Sequence, residues 1–188
     1  AFVAVADDAT ASWWNPAGLA HGAYFSALWE FGTTRQPDSE RDAASRPLAA
    51  WRGGARALSV SFPALALSYY RLRISQMQPL GSTAAAPSGR QDDGAIEVRL
   101  RSLALNQFGA TVGESIGEHL VIASTLKLLR GSAATAVRSG GEASLDRAAD
   151  LEGAGETHGD LDVGAMAVFG RTRLGLTVKN APPRMMCR

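Results

Sequence analysis

Seven charged residues sit at alternating positions that an extended chain would turn away from its apolar side: Glu30, Arg71, Arg73, Glu97, Arg99, Arg101 and Lys127. A guanidinium offers a planar fork of donors that fits a carboxylate or a phosphate. Arg71, Arg73, Arg99 and Arg101, brought together on neighbouring strands, would therefore suit an anionic head group, and the mixed signs of the whole set predict ion pairs between strands. Other chemistry lacks a constellation. No Walker A, GxSxG, HExxH or EF-hand pattern occurs, and His21, His119 and His158 have no ligand spacing. Ser115 or Ser124 beside a histidine is the ordinary coincidence of common residues. The expectation is a chain with no catalytic residues, no metal site and no cofactor, and thus not an enzyme.

The elements that must position these charges read as strands. From Tyr24 to Phe31, Phe25, Ala27, Trp29 and Phe31 alternate with Tyr24, Ser26, Leu28 and Glu30. Leu58, Val60 and Phe62 continue the pattern, with Gly53 and Gly54 marking a bulge or bend before them. Pro63 and Ala64 leave room for only a tight turn, and Tyr70, Leu72 and Ile74 then oppose Arg71 and Arg73. Ile96, Val98 and Leu100 oppose Glu97, Arg99 and Arg101, and Leu120, Ile122, Leu126 and Leu128 oppose Val121, Ala123, Thr125 and Lys127. Leu161, Val163, Ala165, Ala167 and Phe169 lead through a tight GRTR turn into Leu174, Leu176 and Val178. About seven strands of nine or more residues result.

Between them the connections run long, short, long, short, long, short. The polar stretch TTRQPDSERDAASRP, the low-complexity MQPLGSTAAAPSGRQDDG and an acidic segment over about 137–159 are the long ones, the last read as an unspecialised solvated loop. Outer-membrane barrels keep long loops on one rim and short turns on the other, whereas a soluble sandwich has no reason to hold this rhythm. Composition agrees with either. The chain has 188 residues, a formal charge of +1, 46% hydrophobic residues and a mean hydropathy of −0.05. The near-zero charge gives a nucleic-acid partner no support, and no apolar run approaches the ~18 residues of a membrane-spanning helix. Cys187 is the single cysteine, so no disulfide framework arises. With Ala1 first and no charged leader before it, the chain reads as processed or truncated.

The opening AFVAVADDATASWWNPAGLA is a compact helix-turn in its own right. Asp8 is placed to cap a short helix through Trp14, and Asn15-Pro16 ends it, because a residue before proline avoids the helical region. The same stretch resembles the start of the FadL-like and PorV-type bacterial outer-membrane proteins: Asp7, Asp8, Ala9 and Thr10 match an acidic-small part, and Asn15, Pro16, Ala17, Gly18 and Leu19 an NPAGL part. SYYRLRIS and LTVKNA look like strand text of the same family. The resemblance implies an all-β, antiparallel transmembrane β-barrel of 14 strands, about half of them present here. It also implies a plug in residues 1–20 formed by Asp7, Asp8, Trp13, Trp14, Asn15, Pro16, Ala17 and Gly18. Residues 21–181 would be barrel strands and 182–188 an irregular tail, Pro182 and Pro183 breaking the last strand. The implied setting is the bacterial outer membrane with its lipid. The implied function is passive transport of hydrophobic molecules such as long-chain fatty acids; the alternative is a component that binds exported proteins during secretion or surface attachment. An open half-barrel would leave unpaired edges in lipid, so the chain is not expected to form a pore by itself.

Overall fold

The computed structural model describes residues 2–36, 49–80 and 97–181. Within them the chain is all-β: seven antiparallel strands form one sheet in sequence order, β1 (Ser26–Arg35), β2 (Ala50–Phe62), β3 (Leu65–Pro79), β4 (Glu97–Ile116), β5 (Leu120–Ser139), β6 (Gly155–Phe169) and β7 (Thr172–Ala181). The short turns are built as their residues require. Ala64, Gly117 and Gly170 take the positive φ of tight reversals, and at Gly117 and Gly170 this carries no steric cost. All three short turns fall at one end of the sheet and the long connections at the other, because consecutive strands are neighbours throughout.

Strands run further than their apolar alternation reaches. Met77 to Pro79, expected in a low-complexity loop, belong to β3, and β5 continues to Ser139 through a run of Ser, Ala and Thr. These residues pair completely with β4, whose Glu97 lies opposite Ser139. The expected bulge at Gly53 and Gly54 is absent, since both stay in register with β1 and β3. Gly53 instead makes room for Trp51, whose ring lies 3.2 Å from where a β-carbon would stand. The irregularity among the described strands falls between β6 and β7, at Leu161/Val163, near Asn180 with φ 55°. The tail at 182–188, Ile96 and much of the first two long connections lie outside the described residues.

The sheet has two unlike faces. The front carries the N-terminal segment: a 3-10 turn at Phe2–Ala4, helix α1 (Ala11–Trp14) and a second 3-10 turn at Pro16–His21. It packs near the short-turn end, where Ala6, Ala11 and Leu19 close over Ala66, and Ala17 over Val121, Ala123 and Met166. The back divides along the strands. Near the short turns it bears exposed Leu58, Phe62, Leu65, Leu67, Phe108, Leu126 and Leu128. At the opposite end Ala50, Met77, Val98 and Leu100 are buried beneath helix α2 (Leu145–Ala149), which supplies Leu145 and Ala148. The third long connection is thus no mere solvated loop: Ser144 accepts from the Arg147 amide, starting a helix whose apolar side folds onto the sheet.

Candidate functional site

The N-terminal segment is held by polar atoms, and among the described residues no buried side-chain nitrogen or oxygen lacks a partner. Asp8 Oδ1 accepts from the Thr10 amide at 2.9 Å and from its hydroxyl at 2.5 Å, closing the turn that precedes α1. The helix therefore starts later than expected, with Thr10 rather than Asp8 at its N-cap position and Asp8 bracing the turn before it. Asn15 is extended (φ −154°, ψ 107°), as a residue before proline should be, and ends α1. Its side chain is fully buried. Oδ1 accepts from the Ala17 amide at 3.1 Å and so caps the 3-10 turn, while Nδ2 donates to Val3 O at 2.8 Å and Ala165 O at 3.2 Å. One amide thereby joins the start of the chain, the turn and β6.

Glycines shape the seat beneath it. A β-carbon on Gly164 would stand 2.0 Å from Asn15 Oδ1 and 2.8 Å from Pro16 Cδ; one on Gly18 would stand 1.9 Å from Ala6 O. Neither backbone nor ring can yield that far, so Gly164 and Gly18 are required by close approach. Ser12 and Ser59 both donate to Ala9 O at 2.9 Å, fastening α1 to β2. Asp7 meets Arg173 at 3.4 Å on β7. Lys179 donates to Trp13 O and lies 5.5 Å from the centre of the Trp14 ring, a cation-π geometry. Asp7, Asp8, Trp13, Trp14, Asn15, Pro16, Ala17 and Gly18 accordingly share one structure, with Asn15 to Gly18 buried and Trp14 partly exposed.

The seven charged candidates do not share one face. Ser68, Gly109 and Lys127 crowd together on the front, which fixes the parity of β3 to β5. Glu30, Glu97, Arg99, Arg101 and Lys127 are on the front by register. Arg71 and Arg73 are on the back, beside Asn106 and Ala104. The expectation that Arg71 and Arg73 join Arg99 and Arg101 is therefore corrected: the apolar side of β3 changes along its length. Leu65, Leu67 and Tyr69 face back, whereas Leu72 and Ile74 face front.

Lys127 is the buried member. It pairs with Asp162 at 2.7 Å and donates to Asn180 Oδ1 at 2.6 Å, while the Asn180 amide donates to Asp162 Oδ1 at 2.9 Å. Asp162 and Asn180 escaped notice in the sequence, although Asp162 lies opposite the Leu161–Val163 parity and so was placed to meet Lys127. Gly164 gave the same signal, a small residue facing inward between larger ones.

Beyond the segment, the front becomes apolar. Trp13 lines a recess of about 270 Å³ with Glu30, Ala57, Tyr70 and Gln107. Next along the strands come Leu72 opposite Leu105 and Ile74 opposite Leu103, with Leu129 beyond Gln107. A larger recess of about 920 Å³ is lined by Leu103, Leu105 and Leu129 and rimmed by His158 and Asp160. This strip offers apolar contact along several strands with polar groups only at its margins, an arrangement that suits a hydrophobic ligand. Among the described residues, no three His, Cys, Asp or Glu side chains come together as a metal site. No protein-family model matches the chain, and no curated protein or solved structure matches it either.

Proposed function

We propose that this chain contributes the first strands and the plug of a bacterial outer-membrane β-barrel that passively passes hydrophobic molecules such as long-chain fatty acids. The observation that carries the reading is the apolar strip of the front face, Leu72, Ile74, Leu103, Leu105 and Leu129, which begins where Trp13 of the N-terminal segment ends. A gated path needs both parts: an apolar surface for the ligand, and a removable element at its end.

The back face supports the membrane setting. On β5 and β6 its apolar belt spans Leu120 to Leu128 and Leu161 to Phe169; on β4 it spans Phe108 to Val112, with Glu114 following on the same face toward the short turn. The β5 and β6 spans are each roughly 26 Å along the strand, or about 20 Å in projection at a tilt of about 40°. The apolar band of such barrels is about 25 Å tall. Short turns and the plug would then lie on the periplasmic side, and the long connections outside. Further strands would close the edges at β1 and β7, as lipid requires of a barrel.

Heat-modifiable gel migration of the outer-membrane fraction, with mass spectrometry of extracted lipid, tests this. A compact, heat-sensitive band carrying fatty acid is expected. A soluble, heat-insensitive protein overturns the membrane setting, and fatty-acid uptake unchanged in a gene knockout overturns the transport role. The second reading is a PorV-type component that binds exported proteins. It is favoured by the aromatic side of β1, where Trp29 and Phe31 are 79% and 78% exposed. A heat-sensitive band that carries no lipid but captures an exported protein would establish it.

A further inference from the structure

Directly above the bare belt, the back face changes character within one cross-strand row. Leu58, Tyr69, Phe108 and Leu128 form the last apolar row, and two residues further along each strand stand Arg56, Arg71, Asn106 and Arg130. Arg56 is directly opposite Arg71, and Arg73 follows on the same side of β3. Like charges placed opposite one another repel. Among the described residues, Arg56, Arg71 and Arg73 have no carboxylate within salt-bridge reach, although Arg52 on the same face is paired with Asp146 at 2.7 Å. The three arginines line a recess of about 560 Å³ whose remaining wall is Trp29, Phe31, Thr33, Ala55 and the glycine backbone of β1 and β2. A cluster of forked donors, short of anions and edged by aromatic rings and an apolar belt, matches a ligand with an anionic head and a greasy body.

We infer that Arg56, Arg71 and Arg73 form a binding site for the phosphate of an anionic membrane lipid, whose acyl chains lie down the belt beside Leu58, Leu67 and Tyr69. The inference rests on the reading of the back face as lipid-facing. It commits to a lipid head group because the apolar surface continues from the arginines without a break. A free phosphate would use the donors and leave the adjoining belt uncovered.

The test is native mass spectrometry of the protein released from mixed micelles containing dioleoyl phosphatidic acid or dioleoyl phosphatidylcholine, with heat-modifiable migration recorded in parallel. Retention of phosphatidic acid at least tenfold over phosphatidylcholine is expected, and should be lost in Arg56→Gln/Arg71→Gln/Arg73→Gln. It should persist in Arg99→Gln/Arg101→Gln/Arg171→Gln, which removes the same charge from the front face and a turn. Equal loss in both triple variants would reduce the effect to net charge and overturn the site. So would stabilisation by inorganic phosphate equal to that by the lipid. A wild-type protein that migrates as a heat-sensitive barrel yet shows no lipid preference refutes the site and leaves the barrel standing, whereas absence of heat-sensitive migration removes the membrane setting itself.

Discussion

The two ends of the back face are built from the same strands and the same kinds of side chain, yet they are finished differently. At the long-connection end Met77 and Leu100 are 0% exposed, because α2 lies over them. At the short-turn end Leu126 and Leu128 stand 52% and 51% exposed. Strand propensity does not separate the two, since both belong to unbroken ladders of β4 and β5. Cover is the difference. At one end the chain supplies its own lid; at the other it leaves apolar side chains bare over several strands, a patch of the extent that marks an interaction surface. Arg56, Arg71 and Arg130 stand between the two zones.

This contrast can be broken at several points. Leu100→Ala should cost the most, about 3–4 kcal/mol, as a fully enclosed leucine leaves a cavity; the denaturation midpoint measures it. An unchanged midpoint would mean that α2 does not seal the patch. On the front face, Gly164→Ala drives a β-carbon against Asn15 and should cost about 2–3 kcal/mol, the range of an overpacked core. Faster protease cleavage within residues 2–22, with the strands still resistant, would show that the segment and not the sheet gives way. Leu126→Arg sharpens the comparison: on a lipid-facing belt it should cost about 2 kcal/mol in bilayers, whereas a water-facing belt would absorb it with little change. Refolding yield into vesicles separates the two.

The smallest effect is expected from pH. Asp146 is held below the usual carboxylate range by the hydrogen bond and charge of Arg52, with Arg35 adding to it. A lowered value means that the carboxylate stabilises the docked helix at and above the ordinary range and loses that role as pH falls through the lowered value. Amide exchange across 144–150 should therefore quicken at strongly acid pH beyond the intrinsic change, and Asp146→Asn should abolish the excess. An identical profile in that variant would dismiss the pair as a tether for α2.

Much of the sheet was legible because burial imposes alternation. Leu120 to Leu128 and Leu161 to Phe169 read correctly as strands, and Pro63-Ala64 and Gly170-Arg171 as turns. The far parts of the strands were not, since Ser132 to Val137 hold small residues on both sides and carry no period. A five-residue helix such as α2 is likewise too short to show one. The misplacement of Arg71 and Arg73 has a sharper cause. Alternation states that neighbours face opposite ways, but not which way is front; β3 bears two apolar runs of opposite parity, and equating the Tyr70, Leu72 and Ile74 side with the Val98 and Leu100 side of β4 puts the arginines on one face. In the site, Asn15 and Pro16 stood out by their effect on the backbone. Asp162, Asn180 and Gly164 become partners only through cross-strand register, which no local pattern contains.

The seat of the N-terminal segment also sets an order of events. Asn15 reaches Ala165 across 150 positions and Asp7 reaches Arg173 across 166, whereas each strand pairs with its immediate successor. Loop closure over such a separation gains nothing until the distant partners exist. This segment, though it precedes every strand in sequence, is thus the last to settle: the hairpins can zip one after another from β1 onward, and the segment docks only once β6 and β7 have joined. A chain paused before β6 would keep Trp13, Trp14 and Asn15 without their partners, leaving the opening stretch available to whatever escorts it until the sheet is long enough to receive it.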